Sequence, residues 1–150
     1  MTLKNTIIFF ESLNTKATKK SEIKVYNKFI DILSKLENRT FNANEIKSIE
    51  MELDDLNLKS NPDNKNKFYK KALSKFEDYL KEVFSLTTKG HYINASVSLG
   101  ILFGVVLGVV IGERFEKAIG LSIGISIGMF IGVFIGKRLD AKAKATGNLL

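Results

Sequence analysis

The chain has 150 residues, 23 Lys and Arg against 16 Asp and Glu, and a net charge of +7. It contains no cysteine, no tryptophan, one proline and one histidine. The missing cysteines exclude disulfides, thiolate metal ligands and cysteine nucleophiles, and a single histidine leaves little material for acid–base chemistry.

Leu3 to Leu13 opens the chain and reads as a short helix or a strand, its β-branched content keeping both open. No cleavable leader is expected, because the apolar run after Lys4 is only Ile7-Ile8-Phe9-Phe10 before Glu11, and an h-region needs roughly 7–15 apolar residues. Over about 18–38, Ile23, Tyr26, Phe29, Ile30, Leu33 and Leu36 make the broad apolar side of a helix. Phe41-Asn42-Ala43-Asn44-Glu45-Ile46 then carries a cap residue and an acid three positions later, the signature of a capping box. The helix it opens presents Ile46, Ile49, Leu53 and Leu56 on one face. Asn61-Pro62 puts proline where a first helical turn tolerates it. The following helix, about 62–88, shows Tyr69, Leu73, Phe76, Leu80 and Val83 at 4-3-4-3 spacing, and Gly90 is a stop or kink. Residues 1–91 are thus read as a soluble basic helical domain, a small bundle whose last helix could alternatively pair with a copy of itself.

Beyond residue 91 the chemistry changes. Nine of the eleven glycines stand on a four-residue beat: Gly100, Gly104, Gly108 and Gly112, then Gly120, Gly124, Gly128, Gly132 and Gly136. Ser96 begins the series and Glu116 fills its missing beat. In water each interior glycine costs a helix roughly 1 kcal/mol relative to alanine. In lipid no water competes for the backbone, and small residues let neighbouring helices approach closely. Ile93–Gly112 and Ala118–Gly136 carry no charge, and about 20 residues of helix match one hydrocarbon thickness of about 30 Å. Between them lies Glu113-Arg114-Phe115-Glu116-Lys117. One continuous buried helix would sink four charges at roughly 2.5–3.5 kcal/mol each, so a hairpin over 92–136 with its loop at 113–117 is predicted. The large-small alternation of Ile119 to Gly128 resembles a strand, but Met129-Phe130 breaks it while the glycine beat continues.

On a helix, glycines four apart drift by about 40° per step and form a slanted groove. Ser122 and Ser126 lie two residues past their preceding glycines, on nearly the opposite side. The second span therefore carries two small faces, one for the first span and one for another copy or another membrane protein. Lys81, Lys89 and His91 precede the first span, Lys137, Arg138, Lys142 and Lys144 follow the second in a basic tail over 137–150, and the loop offsets Arg114 and Lys117 with two glutamates. The positive-inside rule then puts both termini in the cytoplasm.

Little else suggests a chemical site. His91 reads as a polar boundary residue. Glu50, Glu52, Asp54 and Asp55 have no calcium-loop spacing, and the glycine series lacks the Gly-Lys-Ser/Thr ending of a phosphate loop. Lys65, Lys67, Lys70, Lys71 and Lys75 form the best basic patch. A solvated face is the first reading, an anionic leaflet the second and nucleic acid the third, because Phe68 and Tyr69 between them already have a core role.

The glycine beat, the charged five-residue break and the ending Ile-Gly-Lys-Arg-Leu-Asp-Ala-Lys-Ala-Lys-Ala-Thr-Gly resemble the two-span glycine-zipper membrane proteins of bacteria. The resemblance covers about 90–150 and implies architecture and packing glycines, with no catalytic residue, metal or cofactor carried over. The expectation is an all-α, non-enzymatic, multi-pass protein of the bacterial inner membrane. Its partners would be the lipid bilayer, further copies of itself and a cytoplasmic protein; an oligomeric pore is the alternative.

Overall fold

The computed structural model describes residues 1–60, 62–114 and 116–150. Asn61, before the proline of the expected helix start, and Phe115, in the charged break, lie outside the described residues. The fold is all-α. Among the described residues there are six helices: α1 (Leu3–Lys16), α2 (Lys20–Glu37), α3 (Ala43–Asp55), α4 (Lys65–Phe84), α5 (His91–Gly112) and α6 (Lys117–Ala145). They fall into two units, Met1–Leu86 with Leu150, and Thr87–Leu149.

In the first unit the opening segment is a helix. The Thr2 side chain accepts from Asn5 N–H, and the β-branched Thr6 donates its hydroxyl to Thr2 O at 2.9 Å. That bond satisfies a buried hydroxyl inside the turn, which removes one objection to a β-branched residue in a helix. Phe10 on α1 stacks on Phe29 of α2 with ring centroids 4.2 Å apart, and meets Tyr69 of α4 edge-on at 5.7 Å. Tyr26 and Tyr69 meet edge-on at 5.3 Å. These rings, with Ile32, Leu33, Leu36, Ile49, Leu53, Phe76 and Leu80, form the fully buried core. Both phenols respond to it: burial raises Tyr69 above its ordinary pKa of 10, and burial, with smaller contributions from Glu22 and Tyr69, pushes Tyr26 up to about 12. The capping box at the start of α3 is complete, Glu45 N–H donating to Asn42 and Asn42 N–H to the Glu45 carboxylate. Asn64 caps α4 by accepting from Lys67 N–H.

Two positions depart from the expected apolar faces. Val83 is 55% exposed, because α4 is about to end at Ser85, which takes a left-handed φ of 56°. Ile46, in the first turn of α3, is also exposed, whereas Val25 and Ile32 of α2 are buried.

The second unit is an antiparallel hairpin. α5 spans 22 residues and α6 spans 29, about 33 Å and 44 Å of helix. Both are long and apolar enough to cross a membrane by length and composition. α6 does not stop at Gly136: the basic segment continues its helix to Ala145 and closes with Gly147 at φ 74°.

Candidate membrane hairpin and its glycine seam

The nine glycines form the contact between α5 and α6. Gly100 meets Gly128, Gly104 meets Gly124, and Gly108 meets Gly120 and Leu121. The register continues outward to Ser96 against Gly132 and Ile93 against Gly136, while Gly112 faces Lys117 at the loop. At eight of the nine positions an added Cβ would fall closer than 3.0 Å to the backbone of the other helix; at Gly112 it would fall at 3.0 Å. No flexible side chain could yield, because the obstructing atoms are carbonyl oxygens, amide nitrogens and α-carbons. The approach is backbone on backbone, the geometry that small residues permit.

The bulky residues point the other way. Leu102, Phe103, Val106, Val110, Ile123, Ile127, Phe130 and Phe134 are all exposed, Phe130 at 76%. Beside the seam runs an apolar groove of about 280 Å³, with Leu99, Phe103, Leu107, Ile131 and Ile135 among its walls. The hairpin is therefore small inside and apolar outside, the reverse of a water-soluble helix pair.

Ser122 and Ser126 are exposed. Their hydroxyls donate to Ala118 O and Ser122 O, each at 2.8 Å, and Ser98 donates to Asn94 O at 2.9 Å. These bonds satisfy each hydroxyl on its own helix.

Sequence reasoning passed over Asp140. Only 9% exposed, it projects from α6 to the start of α5, where its Oδ2 accepts from Gly90 N–H at 2.9 Å and its Oδ1 from Tyr92 N–H at 3.2 Å. A helix start leaves N–H groups without partners inside the helix and favours a nearby anion. Gly90, at the N-cap position with φ 82°, has no side chain to supply one. The signal was available: Asp140 stands four residues after Gly136, on the glycine beat. At the same end, Thr87 N–H donates to Asn148 O at 2.9 Å and Asn148 N–H to Ala143 O at 2.8 Å.

Charges cluster at the helix ends. Lys137, Arg138, Lys142 and Lys144 are exposed, and the Arg138 guanidinium lies 4.7 Å over the Phe134 ring. His91 is half-buried with its ring edge-on to Tyr92 at 5.2 Å. In the first unit the acidic residues of α3 are dispersed, Glu52 towards Lys75 at 3.8 Å and Asp54 to the amino terminus of Met1. Among the described residues no three carboxylate or imidazole groups come together as a metal site. Lys65, Lys67, Lys70, Lys71 and Lys75 are exposed along α4, while Tyr69 is buried and Phe68 packs against the core.

Compared with protein families, curated proteins and solved structures, the chain matches none.

Proposed function

We propose that the chain is a non-enzymatic integral protein of a bacterial inner membrane, in which a cytoplasmic helical module is anchored, and held in oligomers, by the glycine-seamed hairpin. The observation that carries this reading is the inverted hairpin, with glycine within and Leu, Ile, Val and Phe without. Soluble monomers rarely expose contiguous apolar patches larger than a few hundred Å², and here the large apolar side chains of both helices face outward together. In a bilayer the same surface is solvated, and the seam satisfies what lipid cannot, close packing of backbone on backbone. The likeness of residues 90–150 to two-span glycine-zipper proteins supports the same architecture.

The exposed Lys137, Arg138, Lys142 and Lys144 in the last turns of α6, with Lys81 and Lys89 before α5, favour both termini on the cytoplasmic side. The exposed Ser122 and Ser126 make a second close-approach face, suited to another copy. A conducting assembly usually needs polar or charged lining. Ser98, Ser122 and Ser126 all spend their hydroxyls on their own helix, which favours anchor and clustering over a pore. The module offers its surface to a cytoplasmic protein. Nucleic acid is disfavoured, because the aromatics beside the lysines of α4 belong to the core.

The test is membrane extraction and labelling of the full chain carrying Glu113→Cys. The protein is expected to stay with membranes through alkaline carbonate washing, and the loop thiol to react with an impermeant maleimide added outside intact cells. Release into the wash would refute the anchor. Labelling only after lysis would refute the orientation.

A further inference from the structure

The contact between α5 and α6 repeats itself. Glycine follows glycine every four residues on both helices, so sliding α6 by one beat, about 6 Å, would again set glycine against backbone along most of the seam. Identical contacts cannot choose among registers. In coiled coils one polar residue on an apolar seam makes that choice. A slide in one direction is opposed at the loop, because it would carry Glu116, on the missing beat, into the seat of Gly120, where a Cβ already meets the backbone of α5. The other direction lengthens the loop by unwinding the first turn of α6, and longer loops cost little.

We infer that Asp140 bars this second slide and so sets the register of the hairpin. Among the described residues it is the one charged residue that is buried, and it stands one beat after Gly136. In the observed register its two oxygens hold Gly90 N–H and Tyr92 N–H, capping α5 from the opposite helix. One beat over, Asp140 would take the seat of Gly136. There a Cβ alone would come closer than 3.0 Å to the Cα and N of Ile93, and the carboxylate would follow it against the backbone. The start of α5 would lose both acceptors at once. Two effects thus act against the same slip: a cap that is lost and a side chain that does not fit. This goes beyond the membrane reading, since it concerns how one hairpin aligns whatever surrounds it.

The chain's lack of cysteine allows a direct measurement. Spin labels at Val110→Cys and Phe134→Cys, both on exposed positions, report the offset of the helices in the full chain in lipid nanodiscs. The parent is expected to give one distance. Asp140→Gly is expected to add a second, shorter one. Asp140→Gly with Lys144→Asp moves the acid one beat and keeps glycine at the old seat, so the shorter distance should dominate, reduced by up to about 6 Å. Asp140→Ala loses the cap but keeps a Cβ that meets Ile93, so it should retain the parent distance. An unchanged single distance in the double variant would overturn the assignment. Should that variant fail to fold, an unchanged single distance in Asp140→Gly alone would do the same. Failure of the parent to enter nanodiscs would count against the membrane reading instead, and the distances would then be taken in detergent.

Discussion

Gly128 is where the seam is most exposed to a small change. A methyl group there would lie closer than 3.0 Å to the carbonyl oxygen of Gly100 and 2.9 Å from the Cα of Gly104. Carbon contacts are comfortable at about 3.5–4.0 Å, so Gly128→Ala must push the helices apart by about 1 Å. Overpacking of this kind costs roughly 1–3 kcal/mol, and alanine returns up to about 1 kcal/mol of helix propensity. The net loss should fall between about 0 and 3 kcal/mol, with the helices more widely spaced in either case, an effect felt also at Gly104–Gly124 because that pair lies one turn away. The assay is reversible unfolding of the hairpin in mixed micelles, with the α5–α6 distance followed by spin labels. Ser122→Ala is the control: its hydroxyl reaches only Ala118 O on its own helix, and a surface change of that kind stays within about 0.5 kcal/mol. A Gly128→Ala hairpin as stable and as closely spaced as the parent would refute backbone-on-backbone packing.

Two further outcomes are expected. Ser122→Leu with Ser126→Leu should leave the hairpin intact but lower the oligomer mass measured in nanodiscs, whereas Gly124→Leu should splay the hairpin itself; equal damage from both would show that the two faces are not distinct. In the first unit, Tyr26 keeps its proton up to about pH 12 when folded and only to about 10 when unfolded. Its contribution is therefore fully present below pH 10 and lost as pH rises towards 12. Urea unfolding of the full chain, read on the ring signals of the first unit, should weaken over that window, and Tyr26→Phe should flatten the decline. A decline of the same size in that variant would assign the effect to another group.

The hairpin was legible because its signal is local and periodic: glycine every four residues has one economical explanation, and a charged break between two apolar runs has another. The helices of the first unit were legible as helices for the same reason, through Phe29, Leu33 and Leu36 or Leu73, Phe76 and Leu80 at helical spacing. Which apolar residues fall inside was less so. Val83 fits the stripe of α4, yet the left-handed turn at Ser85 ends the helix and leaves it exposed. Val25 and Ile32 are buried because α2 packs on both α1 and α4, so its apolar face is wider than one stripe. Asp140 was read as part of a basic tail, since charge after a span ordinarily means the helix has reached water. Its place on the glycine beat put it on the seam, but the two N–H groups it accepts from lie across the hairpin at Gly90 and Tyr92, a pairing that no local pattern records.

The glycine seam also bears on the order of events during synthesis. α5 emerges first, and alone it would show lipid a strip of bare backbone from Gly100 to Gly112, with nothing to cover it. Its partner strip, Gly120 to Gly136, follows after a four-residue link. Under the membrane reading, the two segments are expected to commit to the bilayer as a pair, the first waiting for the second. The carboxylate that closes their far end lies almost at the end of α6, so the hairpin is fastened only when nearly all of that helix has been made.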